Sequence, residues 1–144
     1  MKSFRTSIMI RSTPESVWAI LTDASAWTRW NTTVDKIEGR IAPGEKVKVY
    51  PKISPGRAFP LTVSEFSPNQ RMVWSGGMPL GLFQGRRTYT LTPHGVDVEF
   101  VMEEIFTGLL EPLIGKSIPD MQPVFDEFAA ALKKRAENGM GAAA

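Results

Sequence analysis

Three polar side chains, Arg87, Tyr89 and Glu104, stand on stretches that otherwise read as apolar strand faces. Side chains alternate along a strand, so Phe83, Arg87, Tyr89 and Leu91 fall on one face of residues 82–92. In the next segment Val98, Phe100, Met102, Glu104 and Phe106 share a face, while Asp97, Glu99 and Glu103 share the solvent side. A guanidinium and a carboxylate inside an apolar stripe can orient a ligand's carboxylate or carbonyl group. A buried carboxyl with a raised pKa could also act as acid or base, which makes Glu104, Arg87 and Tyr89 the catalytic candidates. The plainer alternative is an ion pair at the rim, or a bulge that turns Glu104 to water. A turn at Pro93-His94-Gly95 joins the two segments, and the two charged residues lie unequally about it, so a diagonal contact is expected.

Around these groups, Met72, Trp74, Phe83, Phe100, Met102, Phe125 and Phe128 complete the expected ligand-binding set. The same residues could equally be a packed core. Methionines suit an adaptable wall because they repack. The glycine-rich loop 76–83 carries Met78, Leu80 and Leu82 and reads either as a gate over a cavity or as a hairpin loop that tucks its apolar residues down. Trp27 and Trp30 are expected to anchor a corner, and His94 to be solvated in its turn.

Several chemistries are excluded by what the chain contains. It has 144 residues, no cysteine and one histidine, so neither a metal nor a cofactor is expected. The 17 basic and 15 acidic residues are interspersed, and the net charge of +2 argues against nucleic acid. Hydrophobic content of 42% is ordinary for one globular domain, expected over residues 1–138, with a disordered tail over 139–144. The N-terminus reads as too polar for a signal peptide, and no apolar run approaches a membrane span. A cytoplasmic protein without integral membrane association is expected, its oligomeric state open and a homodimer one option.

The elements that must position these residues follow from periodicity. Residues 3–11 read as a strand. Ser12-Thr13-Pro14-Glu15 starts a helix, with Thr13 as N-cap and Pro14 in the first helical position. A second short helix covers 24–29. Six strands then follow, over 34–39, 46–50, 59–66, 71–75, 82–92 and 96–106. Met121, Phe125, Phe128 and Leu132 form one stripe of a helix expected over 117–137, with Ser117 as N-cap, Lys133, Lys134 and Arg135 in the last turn, and Gly139 as stop. The prediction is an α+β fold: a seven-stranded antiparallel curved sheet wrapped around a long C-terminal helix, with two short helices between strands 1 and 2.

The pattern Pro14-Glu15-x-Val17-Trp18, Leu21-Thr22-Asp23 and Trp27-x-x-Trp30 resembles the opening of the START-like (SRPBCC, polyketide cyclase/dehydrase-like) superfamily. Residues Gly85 to Pro93 are similar to its sixth strand and hairpin. Residues Glu103 to Gly115 are similar to its passage into the last helix. The resemblance implies a helix-grip fold with a hydrophobic tunnel between sheet and helix. It implies members that bind lipids, steroids, hormones or polyketides, members that are enzymes, and members that bind proteins. Relatives often carry a histidine where Arg87 stands; a permanently charged guanidinium cannot shuttle protons at neutral pH and would clamp an anion instead. Three functions therefore stay open. The first is a carrier or sensor of a hydrophobic small molecule. The second is a cyclase/dehydratase- or isomerase-like enzyme using Glu104 and Arg87. The third is a protein-interaction module.

Overall fold

The computed structural model describes the backbone of residues 2–143 and the side chains of residues 2–138. The chain runs β1 (Lys2–Ile10), α1 (Pro14–Thr22), a 3-10 turn (Ala24–Ala26), α2 (Trp27–Trp30), β2 (Val34–Glu38), β3 (Lys46–Pro51) and β4 (Phe59–Ser67). It continues through β5 (Arg71–Met78), β6 (Phe83–His94), β7 (Asp97–Thr107), α3 (Glu111–Ile114), a second 3-10 turn (Gly115–Ser117) and α4 (Gln122–Ala143). The seven strands form one antiparallel sheet in the order β1-β7-β6-β5-β4-β3-β2. The α1–α2 corner is thus the one long connection, carrying the chain from one edge of the sheet to the other.

Local chemistry explains most element boundaries. The Thr13 hydroxyl accepts the Ser16 amide at 3.1 Å, and Pro14 fills the first turn, where no donor is needed. Between β6 and β7 the turning residues are Gly95 and Val96, with φ 61° at Gly95. A positive φ at the first loop residue is what a tight hairpin requires there. Centring the turn between Gly95 and Val96, one and a half residues later than the centre of Pro93-His94-Gly95, brings Arg87 directly opposite Glu104, so the contact is lateral rather than diagonal. In β4 a bulge between Ser64 and Ser67 inserts one residue and puts Glu65 at φ 45°. The inward phase Leu61, Val63 therefore shifts, and Phe66 packs edge-on against Trp18 at 5.1 Å.

The last helix corrects the expected boundaries. Ser117 does not cap it; its hydroxyl donates to the Ile114 carbonyl at 2.7 Å and closes the 3-10 turn. Ile118 is extended (φ −77°, ψ 123°), as a residue before proline must tend to be. The helix starts at Gln122, whose amide donates to Asp120 Oδ1 at 3.0 Å, and Pro123 sits in the first turn. Its backbone runs on through Gly139 to Ala143, so that glycine does not stop it. Much of the expected tail over 139–144 lies outside the described residues: the side chains of 139–143 and all of residue 144.

Phe125, Phe128, Ala129, Leu132 and Ala136 form the buried stripe of α4, laid on the concave face of the sheet. Side chains also fasten α4 along the sheet edge β1. Gln122 Nε2 donates to the Arg5 carbonyl (2.8 Å), Thr6 to Asp126 (2.9 Å) and Lys133 to the Met9 carbonyl (2.7 Å), while the Arg11 amide donates to Glu137 (2.9 Å). These bonds occupy an edge that would otherwise offer itself to another strand. Phe128 touches four other rings, so Phe128→Ala should lower the unfolding free energy by about 3–5 kcal/mol in urea titration; a loss under 1 kcal/mol would contradict this packing.

Candidate functional site

The ten expected binding residues divide into two groups. Met72, Trp74, Tyr89, Phe100, Met102, Phe125 and Phe128 are all fully buried against one another. Trp27 stacks on Trp74 at 5.3 Å; Trp74 meets Tyr89 edge-on at 5.1 Å; Phe128 stacks on Phe100 at 5.9 Å. Packed rings thus occupy the middle of the concave face, and a guest there would have to part them. Trp27 and Trp30 belong to this cluster as expected, the Trp27 indole donating to the Leu21 carbonyl at 2.9 Å.

Phe83, Arg87 and Glu104 stand at the border of the cluster. Arg87 Nε donates to Glu104 Oε1 at 2.7 Å, with side-chain exposures of 23% and 17%, so neither end of the pair points into bulk water. The guanidinium also lies 4.9 Å from the Phe125 ring centroid, a cation over an aromatic face. Phe83 stacks on Phe106 at 5.8 Å, and Phe106 meets Phe4 edge-on. Two residues outside the expected set complete this corner, Phe106 and Gly85. A Cβ on Gly85 would stand 3.0 Å from the Phe106 ring and 3.3 Å from Glu104 Oε2. The signal was a glycine in mid-strand on the inward face, which marks a close approach.

The electrostatics make the trio unusual. Burial alone disfavours the Arg87 charge, but the Glu104 carboxylate and Tyr89 more than offset it and hold the group charged above the ordinary arginine range. Burial pushes the Tyr89 phenol up, and the Arg87 charge pulls it only partly back. Its hydroxyl therefore stays protonated at neutral pH. That hydroxyl interacts with the guanidinium but not in good hydrogen-bond geometry, a state it shares with buried polar atoms of Ser12, Trp30, Asn31 and Asp97. A buried unpartnered hydroxyl costs about 1–3 kcal/mol.

Elsewhere, His94 lies exposed in the β6–β7 hairpin, 3.7 Å from Glu99. Among the described residues no group of three or more His, Asp or Glu side chains could hold a metal. A shallow depression of about 300 Å³, lined by Met9, Arg11, Asp97, Lys133 and Glu137, lies at the far end of the α4–β1 contact. Its charges answer one another, Lys133 to Glu137 at 2.8 Å and Arg11 to Asp97 at 3.9 Å, and it lies apart from the candidate trio.

A curved antiparallel sheet gripping a C-terminal helix, with two short helices after the first strand, defines a helix-grip, START-like protein. The family model described as polyketide cyclase / dehydrase and lipid transport matches residues 1–137, and the chain belongs to that family. Solved structures share the fold at low identity. A hypothetical protein from Helicobacter pylori superposes with TM-score 0.76 and 15% identity over 94% of this chain and 88% of that one. A START superfamily protein from Mycobacterium smegmatis gives 0.67 and 14%, covering 94% and 97%. The di-domain ARO/CYC of the steffimycin biosynthetic pathway gives 0.72 and 12%, covering 96% of this chain and 52% of that one. No curated protein matches the chain in sequence.

Two outcomes test the site's energetics. Arg87→Met and Glu104→Leu should each destabilise by about 2–4 kcal/mol, because each strands a charge against apolar rings, and the double variant should cost clearly less than their sum. Additive losses in urea titration would mean the pair is not coupled. Tyr89→Phe should be neutral or stabilising by up to about 1 kcal/mol at pH 7. Because the folded-state pKa of Tyr89 is raised, its contribution to stability is complete below the ordinary phenol value near 10 and is lost as pH rises beyond it. The Tyr89→Phe variant should therefore lose less stability than the parent between about pH 10 and 11; parallel pH profiles would refute the shift.

Proposed function

We propose that the protein binds a hydrophobic small molecule carrying a carbonyl group, its polar end at Arg87, Tyr89 and Glu104 and its apolar body among Met72, Trp74, Phe83, Phe100, Met102, Phe125 and Phe128. One observation carries this reading: the fully buried Tyr89 hydroxyl and the charged Arg87 guanidinium lie together at the edge of an apolar interior without a well-formed hydrogen bond between them. Buried polar groups are nearly always satisfied, so one left open beside a second donor fits an acceptor that arrives with a ligand. Arg87 gives Nε to Glu104, and its remaining N–H groups, which interact with the Tyr89 hydroxyl, would serve that acceptor. The pair is neutral as a whole, which suits a carbonyl oxygen better than a full anion. Burial of the guest's apolar surface supplies affinity at about 25 cal/mol per Å². The packed rings make entry depend on their rearrangement, for which the adaptable Met72 and Met102 are suited.

An aryl ketone and its hydrocarbon analogue separate the parts of this reading when titrated against tryptophan fluorescence. Arg87→Met should weaken the ketone by about tenfold or more and leave the hydrocarbon nearly unchanged. Equal weakening of both, or no binding of either to the parent protein, would sink the proposal.

A second reading, a cyclase/dehydratase- or isomerase-like enzyme, is favoured by one geometric detail. Glu104 Oε2 faces the space left by Gly85, while Tyr89 stays protonated. Glu104 would take a proton from the carbon next to the carbonyl, and Tyr89 with Arg87 would stabilise the enolate oxygen so formed. Deuterium exchange at that carbon, followed by NMR, should be abolished in Glu104→Gln with ketone binding retained; exchange no faster than in buffer would leave the binding reading alone.

A further inference from the structure

Of the eight large apolar side chains exposed among the described residues, six gather at one end of the sheet: Ile53, Phe59, Met78, Leu80, Leu109 and Leu113. The other two, Met9 and Val96, lie at the opposite end. Leu80, Leu109 and Leu113 are 92%, 81% and 70% exposed, far beyond what scattered surface leucines need. Their loops are joined: the Leu109 amide donates to the Gly81 carbonyl at 3.1 Å and the Leu110 amide to Leu82 at 2.7 Å. Leu80 is held at φ 61°, a left-handed conformation that a branched apolar residue adopts only under constraint. Of the two readings of this loop, a gate or a hairpin loop that tucks its apolar residues down, the second does not hold for Leu80, which points outward. Exposed cations outnumber exposed acids at this end. Lys52, Arg57 and Lys116 are exposed, Glu111 is buried, and the exposed acids are Asp35 beside β3 and Asp120 before α4.

We infer that this end of the protein is a docking surface for an anionic phospholipid membrane, with Leu80 and Leu109 entering the interface and Lys52, Arg57 and Lys116 meeting the headgroups. Exposed apolar tips accompanied by an excess of cations over acids are the pattern that binds at the boundary between headgroup and acyl chain. A second copy of the chain is the poorer occupant. A two-fold contact through this end would set the same cations against each other with fewer exposed carboxylates, Asp35 and Asp120, to answer them. No helix among the described residues is long and apolar enough to cross a membrane, and this contact needs none, because it inserts only loop tips. The inference stands apart from the ligand reading: it uses none of the binding-set side chains, and its test needs no ligand.

Co-sedimentation of the full chain with phosphatidylcholine vesicles, with and without phosphatidylserine, tests it. The parent protein should bind the phosphatidylserine vesicles, more weakly as salt rises, and leave the pure phosphatidylcholine vesicles largely unbound. Leu80→Glu with Leu109→Glu should reduce that binding at least about tenfold, and Lys52→Glu with Lys116→Glu by about tenfold or more. Leu80→Gly relieves the positive φ, so its melting temperature should not fall while its vesicle binding weakens. No binding to either vesicle, or unchanged binding in the leucine double variant, would overturn the inference. So would a concentration-dependent dimer that the leucine double variant dissolves.

Discussion

The ring of Phe128, carried on α4, stands between Trp27, Trp30, Tyr89 and Phe100 with centroid separations of 5.4–6.1 Å. It joins three parts of the chain that sequence separates widely: the α1–α2 corner, the central strands and the last helix. A curved sheet cannot bury its concave face by itself, and an amphipathic helix cannot bury its stripe in water. Each solves the other's problem only if the helix lies along the concavity, and aromatic rings are large enough to fill the gap at that distance. The side-chain bonds from α4 to β1 then hold the helix in register with the edge strand. The rest of the structure is arranged about that contact.

The polar trio gains its character from lying at the boundary of this packing. An ion pair in the middle of the rings would suffer the full desolvation penalty, and one outside them would be weakened by water. At the border, Arg87 has Glu104 directly across the ladder and Phe125 under its face, so its charge is answered twice. Gly85 contributes by absence, since any side chain there would press on Phe106 and on the free oxygen of Glu104. Tyr89 is the one member left without a well-formed hydrogen bond.

The two ends of the sheet differ in a way that bears on how such a protein works. Around Arg11, Asp97, Lys133 and Glu137 the charged groups are tied to one another and to backbone, closing the far end of α4 onto β1. The Glu137 carboxyl is held below its usual range by the Arg11 amide and by Lys133, which marks that tie as favourable. At the other end the loops present leucines and cations, and Arg87 and Glu104 lie on the same half of β6 and β7, near Phe83 and Phe106, with Tyr89 at mid-strand. A closed, bonded end and an open, apolar end give the domain a direction.

Period and punctuation were enough to read the class of fold from the chain. The alternation of β6 and β7 put Arg87, Tyr89 and Glu104 on inward faces, Thr13-Pro14 started a helix, and Phe125, Phe128 and Leu132 formed a stripe. All of these are local, because backbone dihedrals and side-chain periodicity depend on near neighbours. Tertiary structure decided the rest. Residues 117–121 do not continue a helix because prolines break its hydrogen bonding, and a bulge at Glu65 set Phe66 against the core. The turn at Gly95-Val96 set Arg87 opposite Glu104, and Leu80 was held outward although its loop read equally as tucked. Each of these depends on register, volume or a contact between distant segments. Whether a row of inward rings encloses a space or fills it is fixed by how far the helix stands from the sheet, a distance that no stretch of sequence encodes alone.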